Sequence, residues 1–369
     1  MKIAIVHDFL VRFGGAEKLV QTWMEEFPEA PIFTLFYDEK KMGSMFPRKR
    51  VKTSSLQKYY SLTKRYTWLL PFMPIAIESF DLSDYDIILS SSAAFSHGVL
   101  TTPDQKHICY IHSPMRWAWD YHFSFIKERK MGFLKKFFFQ KAISKIRVWD
   151  EISASRPDIL LAASTEVSHR IKKYWRRDSE IIFPFVDISK FKVEKLEGHQ
   201  GEKLDEGYFL IVSQLVPYKR IDIAIQACEE LGLTLKIVGE GIMRKELEKI
   251  SGPHIKFLGR LEEEDLIPVI QNAKAFLFPG IDDFGMAPIE SMACGVPVLA
   301  YKKGGAMDTV KEGISGVFFK EQSVESLKEL LKKTDFSQFD VKKIRSHAEA
   351  FSKERHMNKI SSIYSSKAP

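Results

Sequence analysis

The chain of 369 residues is long enough for two α/β domains, each able to bury most of its apolar surface. With 45% hydrophobic and 28% charged residues and no low-complexity tract, the composition excludes a disordered chain. The three cysteines are widely separated within apolar stretches, which indicates buried free thiols in a reducing compartment, the cytoplasm. We expect neither a signal peptide nor a membrane-spanning helix, because the apolar runs are short and interrupted.

The net charge is +7, and its whole excess falls in the first 200 residues. Two stretches there, residues 56–74 and 129–150, place Lys and Arg among Phe, Tyr and Trp. This mixture suits the headgroup layer of an anionic leaflet, whereas the alternative is an amphipathic helix with solvated basic residues. We expect a peripheral protein at the inner face of the cytoplasmic membrane. No recognised nucleic-acid module is present, so nucleic-acid binding is not expected.

Short apolar runs alternate with helical patterns along the chain. The first series comprises residues 2–6, 31–36, 86–92, 106–112, 158–164 and 180–185. The second series comprises residues 208–215, 233–239, 254–261, 274–280, 296–301 and 315–320. Apolar strands separated by helices predict parallel sheets covered on both faces. The sequence therefore predicts two doubly wound α/β domains, residues 1–186 and 207–349, with a polar linker at 187–206.

In doubly wound folds, ligands bind beyond the carboxyl ends of the strands. We therefore expect the active site in a cleft between the two domains. The strand ends and the loops that follow them are the places to search for functional residues.

Two strand ends of the first domain carry candidate residues. Gly14 and Gly15 open a helix whose backbone N–H groups could receive a phosphate, although a tight turn would use the same residues. Asp8, just before them, either meets an acceptor hydroxyl or caps the loop. His112 ends a later strand, where it could contact the donor sugar instead of serving the core. Arg116, predicted on the following helix, could touch an anionic ligand.

The second domain offers basic residues and glycine turns after its strands. Lys219 and Arg220 precede a helix and could bind a diphosphate and stabilise its charge without a metal, unless they are a solvated pair. Gly239 and Arg260 follow later strands, and the arginine could lie against a nucleobase. The first strand lacks the G-x-G-x-x-G turn of dinucleotide enzymes, which weakens an oxidoreductase interpretation.

The segment FPGIDDFGMAPIESMACGVPVLAY is the most informative. Asp282 lies in the loop after a strand, and Glu290 lies about one turn into the next helix. Between them, Gly285, Met286 and Ala287 offer backbone amides at the positive end of that helix. This spacing suits a sugar diphosphate, with one carboxylate on sugar hydroxyls and the other on ribose. The sequence reveals no partner for a structural ion pair at either carboxylate.

Together these motifs resemble the retaining glycosyltransferase family four, of GT-B architecture, and within it the bacterial O-antigen mannosyltransferases. The resemblance runs through HDFLVRFGGAEKLV, HSPMRWAWD, VSQLVPYKRIDIAI, VGEG, FLGRL and FPGIDDFGMAPIESMACGVPVLAYKKGGAMDTV. It implies two Rossmann-like domains facing across a cleft, with a C-terminal segment, residues 350–369, crossing back onto the first. It also implies retention of anomeric configuration with no metal and no cofactor.

Carried over to this chain, the resemblance implies Gly15 near the diphosphate, His112 at the reacting sugar and Lys219 on the diphosphate. It likewise implies Asp282 on sugar hydroxyls and Glu290 on ribose.

Two residues depart from the family pattern. Gln214 stands where the family usually has an arginine, and Arg220 could supply the missing charge. Asp282 replaces a glutamate, which affects the sugar contact and therefore the choice of donor.

The implied function is transfer of a hexose, mannose from GDP-mannose, to a lipid-linked or glycan acceptor in cell-surface polysaccharide synthesis. The alternatives are the same chemistry with a UDP-sugar, or a noncatalytic nucleotide-sugar-binding partner of a membrane glycan assembly complex. A dinucleotide oxidoreductase is a further rival.

Overall fold

The structure is a computed structural model that describes residues 1–64, 66–128, 132–193 and 207–366. It divides into two compact units. The first comprises Met1–Ile182 together with the chain end from Ser362, and the second comprises Phe183–Ser361.

The first unit is built on a seven-stranded parallel sheet with the order β3-β2-β1-β4-β5-β6-β7. Its strands are β1 (Ile3–Leu10), β2 (Ile32–Tyr37), β3 (Val51–Thr53), β4 (Ile87–Ser92), β5 (Lys106–Ile111), β6 (Ile159–Ala162) and β7 (Glu180–Ile181). Its helices are α1 (Gly15–Glu26), α2 (Glu39–Met42), α3 (Gln57–Thr63), α4 (Met73–Glu78), α5 (His122–Glu128), α6 (Phe133–Ser153) and α7 (Thr165–Trp175). A 3-10 helix spans Tyr66–Phe72.

The second unit is built on a six-stranded parallel sheet with the order β10-β9-β8-β11-β12-β13. Its strands are β8 (Phe209–Val212), β9 (Leu235–Val238), β10 (Ile255–Gly259), β11 (Ala275–Phe278), β12 (Val298–Tyr301) and β13 (Gly316–Phe319). Its helices are α8 (Ile221–Leu231), α9 (Arg244–Lys249), α10 (Glu263–Gln271), α11 (Met286–Ala293), α12 (Ala306–Thr309), α13 (Val324–Lys333) and α14 (Val341–Ala348).

The central strands are apolar along their length because both faces of each sheet are covered. In β8, Phe209 and Ile211 pack with α8 on one face of the sheet, and Leu210 packs in a second cluster on the other. All twelve predicted apolar runs contain a strand, and the prediction of two doubly wound parallel sheets is confirmed. The sequence analysis missed β3, a three-residue edge strand.

The predicted linker lies only partly within the described residues, since residues 194–206 fall outside them. In its described part, Ile188 and Phe191 are buried in the core of the second unit. The last helix, α15 (Lys353–Ser366), begins in the second unit, and its residues from Ser362 group with the first. There the Tyr364 ring lies 5.5 Å from that of Phe27 on α1.

Across the described ranges, no helix combines the length and the apolar character needed to cross a bilayer.

Candidate active site

In the second unit, Lys219 and Asp282 form an ion pair. Lys219 ends the 3-10 turn Pro217–Lys219 after β8, and Asp282 lies in the loop after β11. Their side chains retain only 16% and 15% of their exposure, so the pair is largely shielded from water. The sequence analysis was wrong to find no ion-pair partner for Asp282, because the two residues are 63 positions apart and meet only through the sheet order.

Close backbone packing holds this pair in place. A Cβ atom on Gly280 would lie 2.7 Å from the Cα of Lys219, so only glycine permits this approach of the two loops. The N–H of Gly305, in the loop after β12, donates to the carbonyl of Asp282 at 2.8 Å. The loops after β8, β11 and β12 thus converge at the carboxyl end of the sheet.

Helix α11 begins beside these loops at the predicted position. Gly285 is its N-cap with φ +98°, a backbone conformation that favours glycine, and a Cβ there would collide with the Phe278 ring at 2.9 Å. Met286 and Ala287 form the first turn, whose N–H groups lie at the positive end of the helix. Glu290 follows one turn later and is half-buried.

The structure does not bring every predicted cation to this pair. Arg220 donates to both carboxylate oxygens of Asp222 in the first turn of α8, at 3.0–3.2 Å, so its charge is offset locally. Arg260 is 80% exposed and lies 3.8 Å from the Glu262 carboxylate. Gly239 has a packing reason to be glycine, since a Cβ there would lie 1.9 Å from the carbonyl of Ser213.

In the first unit, the buried carboxylate of Asp8 accepts four backbone N–H groups at 2.6–2.8 Å. The donors are Ala93, Ala94, Phe95 and Ser96. These contacts fix the loop after β4 against the end of β1 and satisfy both carboxylate oxygens. They favour the loop-capping role of Asp8 over contact with an acceptor.

His112, directly after β5, lies at the end of a hydrogen-bonded chain, which we call the histidine relay. Its Nε2 is 2.8 Å from Oγ of Ser91, and that Oγ is 3.1 Å from Nδ1 of His7. Nε2 of His7 in turn lies 3.4 Å from Oε1 of Glu17 in the first turn of α1. Three strand ends and one helix therefore meet at a single polar chain: Glu17, His7, Ser91 and His112.

Burial alone would lower the pKa of His7, but the hydrogen bond and charge of Glu17, together with the charge of Asp8, raise it above its ordinary value. Burial likewise would raise the pKa of Glu17, yet the hydrogen bond and charge of His7 lower it. When protonated, His7 donates from Nδ1 to Ser91 and from Nε2 to Glu17.

Strand β4 ends in three serines, residues 90–92, and each of them contacts at least one histidine. Ser90 and Ser92, on the face opposite Ser91, contact His107 at 2.6 Å and His97 at 3.1 Å. Burial lowers the pKa of both histidines to about 3, so both stay neutral. The Ser91 side of β4 therefore contacts a histidine whose pKa is raised, and the opposite side contacts two histidines whose pKa values are lowered.

Gly14 and Gly15 begin α1 as predicted. A Cβ on Gly15 would meet no atom within 4 Å, so the protein packing itself does not require a glycine there. The absence of a side chain instead leaves the helix start accessible. Arg116 lies in a turn, and the prediction that it sits on a helix was wrong, since α5 begins at His122. Its guanidinium lies 3.7 Å from Asp120.

Sequence reasoning missed His7, Glu17 and Ser91. One signal was available for Ser91, because a serine triplet at the end of an apolar strand is unusual in a core. For Glu17, the signal was an acidic residue in the first turn of a helix beginning at Gly15. Neither pattern identifies His7 as the partner, since the His7–Ser91 contact spans 84 positions.

Within the described residues, no group of three or more His, Cys, Asp or Glu is placed to hold a metal ion.

A known protein family matches part of the second unit. Residues 192–337, which include Lys219, Asp282 and Glu290, match the family model of the glycosyl transferases group 1. The matched residues therefore lie within the second unit and include the Lys219–Asp282 pair.

Curated relatives match mainly over a limited stretch. An uncharacterized glycosyltransferase of Methanocaldococcus jannaschii is 31% identical over 130 residues, covering 34% of this chain and 37% of the relative. The GDP-mannose-dependent monoacylated alpha-(1-6)-phosphatidylinositol monomannoside mannosyltransferase of Corynebacterium glutamicum is 34% identical over 135 residues, covering 32% of this chain and 35% of that protein. The chain thus spans little more than a third of the length of these two relatives.

Solved structures share the fold beyond the residues that match the family model. The Anabaena protein Alr3699/HepE, in complex with UDP, matches with a TM-score of 0.72 at 18% identity, covering 99% of this chain and 100% of that one. Sucrose-phosphate synthase of Thermosynechococcus elongatus matches with a TM-score of 0.71 at 14% identity, over 99% of both chains. The two Rossmann-like domains therefore have the predicted GT-B fold.

The histidine relay predicts a pH-dependent contribution to stability. Replacement of Glu17 by Gln removes the charge-assisted contact to His7 and should lower the free energy of unfolding at pH 6 by about 1–3 kcal/mol. The Glu17–His7 contact stabilises the folded state only while Glu17 is charged and His7 is protonated. Its contribution to the free energy of unfolding is therefore present above the ordinary pKa of Glu17, 4.5. The contribution is lost as pH rises through the pKa of His7 in the folded protein, which lies above 6.5. Urea unfolding between pH 5 and 9 measures it.

The matched control is Glu26→Gln, an exposed substitution at the end of the same helix. A Glu17→Gln deficit that stays constant from pH 6 to pH 9 would contradict the assigned protonation of His7.

Proposed function

We propose that the chain is a retaining glycosyltransferase that transfers mannose from GDP-mannose to a lipid-linked or glycan acceptor in cell-surface polysaccharide synthesis, such as that of O-antigen. The second unit binds the donor, and the first unit binds the acceptor. The sugar transfer takes place at the inner face of the cytoplasmic membrane and does not use a metal ion.

The observation that carries this proposal is the shielded Lys219–Asp282 pair at converging strand ends of a group 1 domain. A donor diphosphate would replace Asp282 as the partner of the Lys219 ammonium. The carboxylate released in this exchange is then free to accept hydrogen bonds from sugar hydroxyls. The start of α11 adds backbone N–H groups that bind phosphate. The Glu290 carboxylate binds the ribose hydroxyls.

The choice of GDP-mannose is supported by the name of the Corynebacterium relative, a GDP-mannose-dependent mannosyltransferase. The same site chemistry would accept a UDP-sugar, and this second candidate is favoured by the Anabaena structure in complex with UDP. Both donors present the same diphosphate to Lys219, so the base and the sugar must distinguish them.

In the proposed reaction, the bond between the sugar C1 and the diphosphate oxygen breaks as the acceptor oxygen forms a new bond to C1. The acceptor attacks from the face that the diphosphate leaves, and the phosphate oxygen takes the acceptor's proton. Lys219 and the N–H groups of α11 stabilise the charge on the leaving group. His112, at the end of the histidine relay, contacts the donor sugar and positions it.

Membrane contact is proposed for the basic aromatic surface, which we define as the described residues of 56–74 and 132–150. Residue 65 and residues 129–131 of the predicted stretches lie outside the described residues. On α6, Phe133 and Phe138 are 83% and 65% exposed among lysines, and on the other stretch Trp68 is 77% exposed. Exposed aromatic rings next to basic side chains suit an anionic leaflet.

A thermal-shift screen over GDP, UDP, ADP and NAD tests the donor. A nucleotide at a hundred times its dissociation constant stabilises the protein by about 2.7 kcal/mol. We expect GDP to give the largest shift, followed by transfer of mannose from GDP-mannose. A larger shift with UDP would move the proposal to a UDP-sugar, and a shift with NAD alone would refute a glycosyltransferase.

Substitution of the donor-site residues tests the catalytic role. Lys219→Ala and Glu290→Ala should each lower kcat/KM by about two to three orders of magnitude, because the first removes a charge-assisted contact to the leaving group and the second removes the carboxylate that binds ribose. Lys245→Ala, at an exposed position on α9, is the matched control and should turn over normally. Nucleotide binding without any turnover in the unmodified protein would favour a noncatalytic sugar-nucleotide carrier.

Flotation with vesicles tests the membrane surface. We expect association with phosphatidylglycerol vesicles that weakens as salt rises, and little with phosphatidylcholine alone. The double substitution Phe133→Ser and Phe138→Ser should lower partitioning about tenfold, since two rings lose their apolar burial. Ile242→Ser, which is 75% exposed in the second unit, is the control. Equal flotation of both variants would contradict the assignment of this surface.

A further inference from the structure

The first unit contains an apolar cavity of about 350 Å³ at the carboxyl ends of β1 and β4. It opens between the 3-10 helix Tyr66–Phe72 and the helices α5 and α6. The lining residues are Phe9, Tyr66, Thr67, Trp68, Leu70, Met73, Ala94, Phe95, Trp117, Phe125 and Phe139.

The lining determines what the cavity can hold. None of these side chains is charged, and polar atoms are limited to the hydroxyls of Tyr66 and Thr67 and the indole N–H groups. A phosphate or an oligosaccharide would lose more hydrogen bonds to water than this lining could replace. A hydrocarbon chain would lose none and would bury its methylene groups against aromatic rings.

The position of the cavity links it to the histidine relay. Phe9 follows Asp8 on β1, and the N–H groups of Ala94 and Phe95 bind the Asp8 carboxylate. Trp117 lies five residues after His112. The cavity wall is therefore made by the same loops that fix the relay, and an occupant of the cavity would end close to the strand ends that carry it.

The mouth of the cavity belongs to the basic aromatic surface. Trp68 both lines the cavity and remains 77% exposed, so the cavity opens where this surface meets the solvent. On α5, Phe123 is 81% exposed two residues before Phe125, which lines the cavity. An apolar opening within a surface suited to lipid headgroups would admit a hydrocarbon chain of a molecule that is anchored in the membrane.

We propose that this cavity binds the hydrocarbon chain of a lipid-linked acceptor and thereby holds the acceptor's polar end at the strand ends that carry His112. The inference rests on the proposed function, because it names the chemical class of the acceptor: a glycan or phosphate group attached to a long alkyl or isoprenoid chain. The occupant is the chain of the acceptor and not that of a bulk membrane lipid.

The first experiment measures binding of alkyl phosphates of four, eight and twelve carbons by titration calorimetry, below their micelle concentrations. Each methylene that enters the cavity should tighten binding about fourfold, the equivalent of about 0.8 kcal/mol. Thr67→Phe places a ring at the exposed rim of the cavity and should weaken binding of dodecyl phosphate at least tenfold, leaving butyl phosphate unaffected. Thr63→Phe, an exposed position outside the lining, is the matched control.

The second experiment distinguishes the source of the chain. Dodecyl phosphate should inhibit transfer competitively against the lipid-linked acceptor and not against the nucleotide sugar, and Thr67→Phe should raise the acceptor KM without lowering vesicle flotation. Loss of flotation in Thr67→Phe without an effect on acceptor KM would assign the cavity to bulk lipid and overturn the proposal. Binding that does not depend on chain length, or that both variants weaken equally, would overturn it as well.

The two proposals fail in different ways. If no nucleotide sugar supports transfer but Thr67→Phe still selectively blocks dodecyl phosphate, the glycosyltransferase proposal fails and the chain-binding site stands as a lipid site without an acceptor role. If transfer proceeds equally with acceptors that lack a chain, the glycosyltransferase stands and the cavity proposal fails.

Discussion

The buried carboxylate of Asp8 holds the first unit's functional region together. Its two oxygens collect four backbone N–H groups from the loop after β4, which would otherwise be buried donors without partners. The same contacts fix Ser91 against His7 and set Ala94 and Phe95 in the wall of the cavity. One interaction therefore supports both the hydrogen-bonded chain to His112 and the apolar space beside it.

In the second unit, the main electrostatic feature is the shielded ammonium of Lys219. A site for a diphosphate must carry positive charge, yet an uncompensated cation in a shielded loop is costly. Pairing Lys219 with Asp282 offsets that cost within the protein, and in the proposed function a donor phosphate replaces Asp282 as the partner of the ammonium. Glycines at 280 and 285 permit this close packing, because a Cβ at either position would collide with Lys219 or with the Phe278 ring.

Much of the fold follows from local sequence patterns, and much of the site does not. Every predicted apolar run contains a strand because burial on both faces leaves a strong local signal, whereas β3 is too short and too exposed to leave one. The helix starts at Gly15, Ile221 and Met286 were predictable from their turn residues. The partners were not: Asp282 for Lys219, Ser91 for His7 and the N–H groups for Asp8 lie 63 to 88 positions away. Strand order, which no local pattern encodes, brings them together.

The serine triplet of β4 has a consequence for how this protein could change its chemistry. Since neighbouring residues of a strand point to opposite sides, Ser91 serves the ionisable side, while Ser90 and Ser92 serve histidines that remain uncharged in the dry interior. A substitution on one side of the strand therefore removes hydrogen bonds from one set of histidines and leaves those on the other side in place. The alternation along β4 thus gives adjacent residues of one short strand separate hydrogen-bonding duties, so each serine can be substituted without touching the histidine contact of its neighbour.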